Sequence, residues 1–462
     1  MTRRKLTARS HPHPRYAAAR PPRRALVACA VLAAGAVTAA VSGTTVSAAP
    51  QPVTGALSTA DIDVLLEWNL LAQVETIMLR PTAHGQARGI AMVEGAVYDA
   101  VNAIDGGHQP YLLDLEALDL APGASYDAAI ATAAHHVLVS LVAEGRVAAL
   151  DAAYDATLLT IPDGPGEDDG VAAGEAAAAA MLDARADDGY LAPFVFPPAT
   201  EPGDWEPVPG GAYDPDPWVG GLDPFFLDNA LQFRSKGPLK LTSGAYAKEF
   251  NEVKELGSLT STTRTPDQTA AAIFWQFPPT ALWNGVFRDL SVSEGLDVVD
   301  GSRLFAQVNL AAADGAIACW EEKYYWNFWR PTMAIREADT DGNRKTVADP
   351  GWKPLFDPST ATTPPLATPP FPDHPAGHGC VSGAVLHTAK TFFGTDKMAF
   401  EVRSGRFPGQ PRQFSTFTDA LEEVRDARVW GGIHFRTATE DGAVVGKKVA
   451  RWMNDNYFQL VG

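Results

Sequence analysis

Apolar residues recur three or four positions apart through most of residues 57–190, a segment rich in Ala, Leu, Val and Glu. This spacing is that of one face of an α-helix. No comparable series of alternating strand patterns interrupts it, so the pattern predicts a mostly α-helical region. The predicted helices run from a capping-box-like start at Ser58 through Leu71, and over 85–104, 128–141, 147–159 and 174–185.

Residues 187–235 have a different composition, dominated by Pro, Gly, Asp and Trp. Helices do not persist through stretches such as Asp214-Pro215-Asp216-Pro217-Trp218, because proline lacks the N–H that a helix needs. The aromatic residues argue against a flexible linker, which is normally polar. We expect an ordered arm that either wraps the surface or forms a wall of an active-site cleft.

Helical spacing resumes after residue 235, and a second Pro-rich stretch lies between 339 and 374. The sequence therefore predicts an all-α fold with long Pro-rich loops. We divide it into an N-terminal helical region (49–186), the arm (187–235) and a C-terminal helical region (236–462). In the last region, helices are predicted over 245–256, 266–283, 302–329, 382–393 and 438–460.

The first 48 residues have the pattern of a secretory signal peptide. They carry eight Lys and Arg and no Asp or Glu, contain an apolar run over 25–41, and end in Val46-Ser47-Ala48 with small residues at cleavage-type positions. A membrane anchor is the alternative, but the run is short for a bilayer span. We expect residues 1–48 to be removed and the protein to be secreted, extracellular and free of the membrane.

Charge and cysteine content narrow the possible functions. The chain of 462 residues has a formal net charge of −18, and without residues 1–48 the remaining 29 basic and 55 acidic residues give −26. Such a surface repels phosphate backbones, so we expect no nucleic-acid partner. Beyond residue 48 only Cys319 and Cys380 remain, which is no disulfide framework; whether they form a single bridge stays open.

Three segments of the second half concentrate Lys, Arg and His against this acidic background. The first contains Lys323 and Arg330, followed by Pro331. Seven residues make about two helical turns, so one continuous helix would place both cations on one face, about 10 Å apart along its axis. Two cations on a buried face require an anion nearby, whereas two ordinary surface cations are the alternative interpretation.

The second segment is Phe371-Pro372-Asp373-His374-Pro375-Ala376-Gly377-His378-Gly379-Cys380, a tight loop that leads into a helix predicted to begin near Val381. Amides at a helix N-terminus attract anions, and His378 is placed to exchange a proton with a bound group. The third segment contains Arg428 and His434, separated by Gly431-Gly432. The glycines favour a change of path, so both side chains can converge; alone, such a histidine is more often structural.

Together, the three segments resemble the shared signature of vanadium-dependent haloperoxidases and the type 2 phosphatidic acid phosphatase superfamily. That signature joins Lys-x6-Arg-Pro, Pro-Ser-Gly-His and Ser-Arg-x5-His. Here 43 residues separate Pro331 from Pro375, and 48 separate His378 from Ala427. The segment around Arg88 and Tyr98 is similar to the N-terminal helix of secreted bacterial members of the haloperoxidase branch. The resemblance covers most of residues 60–450 and implies an all-helical fold built around helix bundles.

The resemblance also implies the role of each residue. Lys323, Arg330, Arg428 and the Gly377 amide would hold the oxygens of vanadate, and phosphate would fit the same site. His434 would be the apical ligand of vanadium in a peroxidase, or the nucleophile in a phosphatase. His378 would be the acid–base group. Trp320 and Phe371 resemble the aromatic residues beside the halide site of the chloroperoxidase branch.

Two positions depart from the family pattern. Ala376 stands where the family usually has Ser, so one hydroxyl donor to the anion is missing. The Asp that usually follows the last histidine by four residues is Ala438, and we expect Asp441 or Glu440 to replace it as the partner that orients His434.

The leading hypothesis is a secreted vanadium-dependent haloperoxidase that uses hydrogen peroxide, a halide and a small organic substrate. A homodimer is an option that the sequence leaves open. A secreted acid-type phosphatase with a phosphohistidine intermediate is the main alternative. A non-catalytic oxyanion-binding homologue is the third, favoured by Ala376 and Ala438.

Overall fold

The computed structural model describes residues 62–208, 211–360, 362 and 365–461. Within these residues the chain forms thirteen α-helices and a two-stranded antiparallel sheet. The helices are α1 (Asp63–Leu79), α2 (Ala83–Asp105), α3 (Tyr126–Leu141), α4 (Glu144–Leu158), α5 (Pro165–Ala184), α6 (Gly244–Leu256), α7 (Pro266–Phe274), α8 (Pro279–Ser293), α9 (Val298–Trp326), α10 (Pro331–Arg336), α11 (Gly377–Phe392), α12 (Phe417–Trp430) and α13 (Arg436–Asn456). The strands are β1 (Lys397–Val402) and β2 (Arg412–Thr416).

The predicted all-α fold class is confirmed, with differences in detail. The segment 266–283 is two helices, α7 and α8, because Pro278 and Pro279 break it. Helix α12 and the β1–β2 hairpin have no counterpart among the predicted elements. The predicted start at Ser58 and the predicted signal peptide lie outside the described residues. No helix among the described residues is long and apolar enough to cross a membrane.

Helix α9, 29 residues long, is the central element of the fold, and nearly all of its side chains are buried. It packs against α2, which belongs to the N-terminal half of the chain, and against α11 and α13, which belong to the C-terminal half. A disulfide between Cys319 and Cys380 joins α9 to α11, which settles the pairing that the sequence left open. The C-terminal third of α9 is thereby held beside the first turn of α11.

Helices α11 and α13 approach each other closely at glycine positions. A Cβ on Gly446 would lie 2.2 Å from Cys380 O, and one on Gly442 would lie 2.6 Å from Ala376 O. Only glycine permits this approach without moving a backbone. The contact brings the start of α13, just after His434, against the start of α11, which carries His378.

Residues of the arm pack against the segment that follows α9. Trp205 N donates to Asn327 O at 2.7 Å, and Trp329 N donates to Gly203 O at 2.8 Å. The indoles of Trp205 and Trp218 are buried. Backbone pairing therefore fixes the chain between Lys323 and Arg330, the two residues of the first cationic segment.

Candidate active site

Lys323 and Arg330 do not share a helix face, so the prediction of a continuous helix over 302–329 is wrong. Helix α9 ends at Trp326, and Asn327 takes a left-handed conformation with φ 44°. Arg330 has extended backbone and precedes α10, because Pro331 at the first helical position disfavours helical geometry in the residue before it. The two cations are therefore supplied by two separate elements.

The fully buried ammonium of Lys323 fixes the loop before α11. It donates to three backbone carbonyls: Pro372 O at 3.1 Å, Asp373 O at 3.2 Å and Pro375 O. Burial and the nearby Arg330 lower the pKa of Lys323 well below its ordinary value, while Asp373 opposes that shift. Three acceptors match the three protons of an ammonium group, so we assign the charged form.

Arg330 links the second cationic segment to the third. Its Nε donates to Phe371 O at 2.8 Å, and its Nη1 donates to Ile433 O at 2.7 Å and lies 3.1 Å from His434 Nε2. Its buried Nη2 has no hydrogen-bond partner within the protein. Burial lowers the pKa of Arg330 to about 10, so the guanidinium is charged at neutral pH and has one donor to spare.

His434 lies between Arg330 and Asp373. Guanidinium nitrogens only donate, so Nε2 of His434 acts as the acceptor and the ring proton sits on Nδ1. Nδ1 lies 2.9 Å from Asp373 Oδ1, a close contact whose angles fall short of a hydrogen bond. Burial and the cations Arg330 and Lys323 lower the pKa of His434 well below its ordinary value, so the ring is neutral.

The expected partners of His434 were Asp441 or Glu440, and this prediction is wrong. Asp441 Oδ2 lies 3.5 Å from His374 Nε2, and Glu440 is exposed on α13. Asp373 takes the place beside His434 because the loop before α11 passes next to the turn before α13. Burial raises the pKa of Asp373 to about 7, against the effect of Arg330 and Lys323.

Arg428 comes from the last turn of α12. Its Nη1 donates to Trp275 O at 3.2 Å and to Gln276 Oε1 at 3.4 Å, whereas its buried Nε has no hydrogen-bond partner within the protein. Burial, followed by the charge of Arg330, lowers the pKa of Arg428 to about 9. A guanidinium this deeply buried without a carboxylate partner is costly unless an anion compensates it.

Helix α11 begins at Gly377, four residues before the predicted start, with Ala376 as its N-cap and no side-chain cap. A Cβ on Gly377 would lie 2.8 Å from the ring of Trp320, so glycine is required there. His378 follows in the first turn, and its Nε2 has no hydrogen-bond partner within the protein. Burial and Arg428 lower the pKa of His378 well below its ordinary value, so this imidazole is also neutral.

A cavity of about 390 Å³ opens in front of these groups. Gly377, His378, Arg428 and His434 line it, together with the predicted halide residues Trp320 and Phe371. The rings of Trp320 and Phe371 meet edge to face with centroids 5.0 Å apart, and Lys323 Nζ lies 5.3 Å from the first and 5.2 Å from the second. Much of the remaining wall is proline, from 278–279 and 365–370.

Two residues at this cavity were not indicated by the sequence: one lines it, and the other lies behind its wall. His84, near the start of α2, stacks on Trp320 with ring centroids 3.8 Å apart. Asp214 of the arm receives hydrogen bonds from Trp320 Nε1 at 2.8 Å and from Tyr324 at 2.9 Å. Neither residue belongs to a recognisable motif, and only the tertiary path of the arm brings Asp214 to α9.

The structure thus brings together the eight site residues predicted from the sequence. The cluster contains three buried cations and two neutral imidazoles, with Asp373 as the carboxylate among them. No group of three or more His, Cys, Asp or Glu suited to a bare metal ion occurs in the described part of the chain. The donors therefore match an oxyanion. The lone pair of His434 Nε2, which accepts from Arg330 Nη1 in this structure, can become an additional ligand when Nη1 turns to the anion.

The part of the chain that carries these residues is similar to known proteins. Residues 303–462 match the family model described as the VCPO second helical-bundle domain. Vanadium chloroperoxidase from Curvularia inaequalis is 34% identical over 153 residues, which is 29% of this chain. The match spans 24% of that protein, about a quarter of its length.

Two solved structures share the fold over most of both chains. A bacterial vanadium-dependent iodoperoxidase superposes with a TM-score of 0.72 at 24% identity, covering 87% of this chain and 97% of its own. The holo form of a bacterial vanadium-dependent chloroperoxidase gives 0.60 at 17% identity, covering 83% and 92%. The C-terminal region is thus similar to vanadium chloroperoxidase in sequence, and the described chain shares the fold of bacterial vanadium haloperoxidases, in line with the resemblance of the three motifs.

Proposed function

We propose that this protein is a vanadium-dependent haloperoxidase, which binds vanadate and uses hydrogen peroxide to oxidise a halide. One observation carries the proposal: Arg330, Arg428 and His378 each keep an unpartnered buried nitrogen in the cluster that contains the acceptor Nε2 of His434. A group that accepts hydrogen bonds from the two guanidiniums, offers a hydroxyl proton to His378 and binds an imidazole nitrogen satisfies all of them. Vanadate is such a group, and the relatives named above are vanadium enzymes.

The residues present fit vanadate in charge as well as in donors. Arg330 and Arg428 would each offer a guanidinium donor, the amide of Gly377 at the start of α11 would offer another, and Lys323 would add positive potential. At an effective dielectric near 20, a unit charge about 4 Å from an anion is worth about 4 kcal/mol. Charges of this size contribute to offsetting the cost of burying the anion.

His434 would bind vanadium through Nε2, since Nδ1 carries the proton and faces Asp373. Bound vanadate acts as a Lewis acid that activates hydrogen peroxide for oxygen transfer to the halide. A neutral imidazole is required for this ligation, and burial with three neighbouring cations keeps His434 in that form.

His378 would act as the proton acceptor. Its lowered pKa keeps the ring neutral, so it can take a proton from peroxide entering the cavity. The guanidinium of Arg428 lies close enough to depress that pKa, and it would also stabilise the negative charge that deprotonation creates. The apolar ring faces of Trp320 and Phe371, with Lys323 nearby, would hold a weakly hydrated halide.

A two-assay experiment tests this function. Purified protein is incubated with vanadate and assayed for bromide and iodide oxidation by peroxide, and separately for phosphomonoester hydrolysis without vanadate. We expect halide oxidation that His434→Ala abolishes and that the control His136→Ala, on α3, retains. The proposal would be contradicted if the wild-type protein oxidised no halide but hydrolysed phosphomonoesters, and if His434→Ala abolished that hydrolysis. The protein would then be a phosphatase. Inactivity in both assays with anion binding retained would favour a non-catalytic homologue.

We also propose that the protein is secreted after removal of residues 1–48. The disulfide between Cys319 and Cys380 supports this, because disulfides persist mainly in oxidising compartments. Expression of the full chain in a bacterial host, followed by N-terminal mass analysis of the exported protein, tests it. A mature protein beginning near Ala49 is the expected result, and retention of the intact N-terminus in the cell would contradict it.

A further inference from the structure

His84 is the one histidine of the cavity that none of the three motifs supplies. It occupies the first turn of α2, with Thr82 as N-cap, in the N-terminal half of the fold. It is buried, yet it lines the cavity opened by His378, Arg428 and His434. The N-terminal helical region therefore contributes an ionisable group to a site whose other charged residues come from the C-terminal region.

A single carboxylate orients the rings on this side of the cavity. Asp214 lies 3.0 Å from His84 Nε2 and accepts from Trp320 Nε1, Tyr324 Oη and the backbone N–H of Asp216. These contacts lower the pKa of Asp214 against the effect of burial, so it is ionised and only accepts. His84 Nε2 is consequently protonated, and Nδ1 is the ring nitrogen left to meet a group in the cavity.

The stacking geometry places His84 beside the predicted halide residues. Its ring lies nearly parallel to Trp320, at 19°, and edge-on to Phe371 with centroids 5.5 Å apart. Because Nε2–H is committed to Asp214, Nδ1 donates a hydrogen bond only when the ring carries a second proton. Face-to-face stacking on an indole stabilises such a cation.

We propose that His84, positioned by Asp214, is a specificity-determining residue of the halide subsite, where it donates a hydrogen bond to the halide held beside Trp320 and Phe371. This inference rests on the haloperoxidase function proposed above. It implies that the halide binds the form of His84 that carries a proton on each ring nitrogen. The other titratable or charged groups nearby are Asp214 from the arm, and Tyr324 and Lys323 from α9. Across the cavity stand His378, Arg406, Arg428 and His434.

Substitution of His84 tests the proposal without relying on turnover. His84→Phe keeps a ring against Trp320 but removes both nitrogens, whereas His84→Gln retains an amide donor. Bromide binding to the vanadate-free full-length protein is followed by bromine NMR line broadening, and KM and kcat are measured on the vanadate-loaded protein. We expect His84→Phe to weaken bromide binding and raise the halide KM about tenfold with little change in kcat, and His84→Gln to recover part of the loss.

The pH dependence separates a hydrogen-bonding role from a packing role. Bromide binding to the wild-type protein should weaken as pH rises, and this dependence should disappear in His84→Phe. The matched control is His135→Phe on α3, since His135 is also paired with a carboxylate, Asp151 at 2.8 Å, and stacked on a ring, Tyr154, but lies outside the cavity. Circular dichroism and thermal unfolding verify that each variant folds.

The outcomes distinguish this inference from the function on which it rests. An active wild-type enzyme whose His84 variants bind and oxidise bromide like the wild type overturns the role of His84 alone. If the protein oxidises no halide but binds bromide in a way that depends on His84, the haloperoxidase proposal is contradicted. The role of His84 in an anion subsite is then supported.

Discussion

His434 Nδ1 lies 2.9 Å from Asp373 Oδ1, although the two residues are 61 positions apart and belong to different motifs. Lys323 holds the backbone carbonyl of Asp373, and Arg330 lies 3.1 Å from the other nitrogen of His434. The two cations thus hold the backbone that carries the carboxylate and the ring that faces it. This arrangement sets the tautomer of His434 before any anion binds.

Replacement of Asp373 should therefore weaken anion binding. We expect Asp373→Ala to lower vanadate affinity by about 10- to 100-fold, because His434 loses the group that orients its ring. Vanadium NMR or competition with phosphate measures the affinity. Asp441→Ala is the matched control and should bind vanadate like the wild type. Weaker binding in Asp441→Ala, with unchanged binding in Asp373→Ala, would show that Asp441 orients His434, as expected from the sequence.

Arg428 offers a second test of the oxyanion cluster. Loss of a charged donor in Arg428→Ala should reduce vanadate affinity at least tenfold, since a hydrogen bond to a charged group is worth about 1.5–3 kcal/mol. Arg425→Ala, one turn earlier on α12 and partly exposed, is the control. Equal affinities for both variants in a vanadate titration would remove Arg428 from the site.

The sequence predicted the site residues better than the path between them. The three segments rich in Lys, Arg and His stand out because the rest of the chain is acidic. Their positions could therefore be identified from the sequence. The break after α9 was also encoded, since Pro331 restricts Arg330 and Asn tolerates the left-handed conformation of Asn327. The seven-residue spacing between Lys323 and Arg330 fits a continuous helix, and this fit led us to overlook both helix-ending signals.

The missed residues depend on tertiary structure. Asp373 lies within the second motif, but its contact with His434 arises only where two loops meet. Asp214 follows a Pro-rich stretch without periodicity, and nothing local indicates that it meets Trp320 and His84. The N-terminal helices were predicted because their apolar positions repeat every three or four residues, and such local patterns carry no information about which helices become neighbours.

Ala376 gives a test of the departure from the family pattern. It caps α11 with extended backbone and no side-chain acceptor, a geometry that serine adopts readily. Ala376→Ser should raise the free energy of unfolding by about 0.5–1 kcal/mol and strengthen vanadate binding, because the hydroxyl accepts from the helix and donates to the anion. Denaturant unfolding and vanadate titration measure both effects, and weaker binding would indicate that the hydroxyl blocks the site.

Glu94 belongs to a buried polar network between α1, α2 and α8. Asn69 Nδ2 donates to Glu94 Oε1 at 2.9 Å and to Asn284 Oδ1 at 2.8 Å, while Glu94 Oε2 has no hydrogen-bond partner within the protein. Burial raises the pKa of Glu94 to about 7, from an ordinary value of 4.5, against the effect of Asn69. The folded state therefore holds a proton that the unfolded chain releases near pH 4.5.

The free energy of unfolding should fall with rising pH because of this group. Below pH 4.5 both states are protonated and the contribution is complete; between pH 4.5 and 7 it is lost, and above pH 7 no further loss occurs. Glu94→Gln removes the titration, so the variant should gain about 3 kcal/mol relative to the wild type between pH 4.5 and pH 8. Denaturant unfolding of both proteins at the two pH values measures this difference, in which any pH-independent cost of the amide cancels. Glu175→Gln, exposed on α5, serves as the control, and an equal pH response in all three proteins would show that Glu94 is ionised in the folded state.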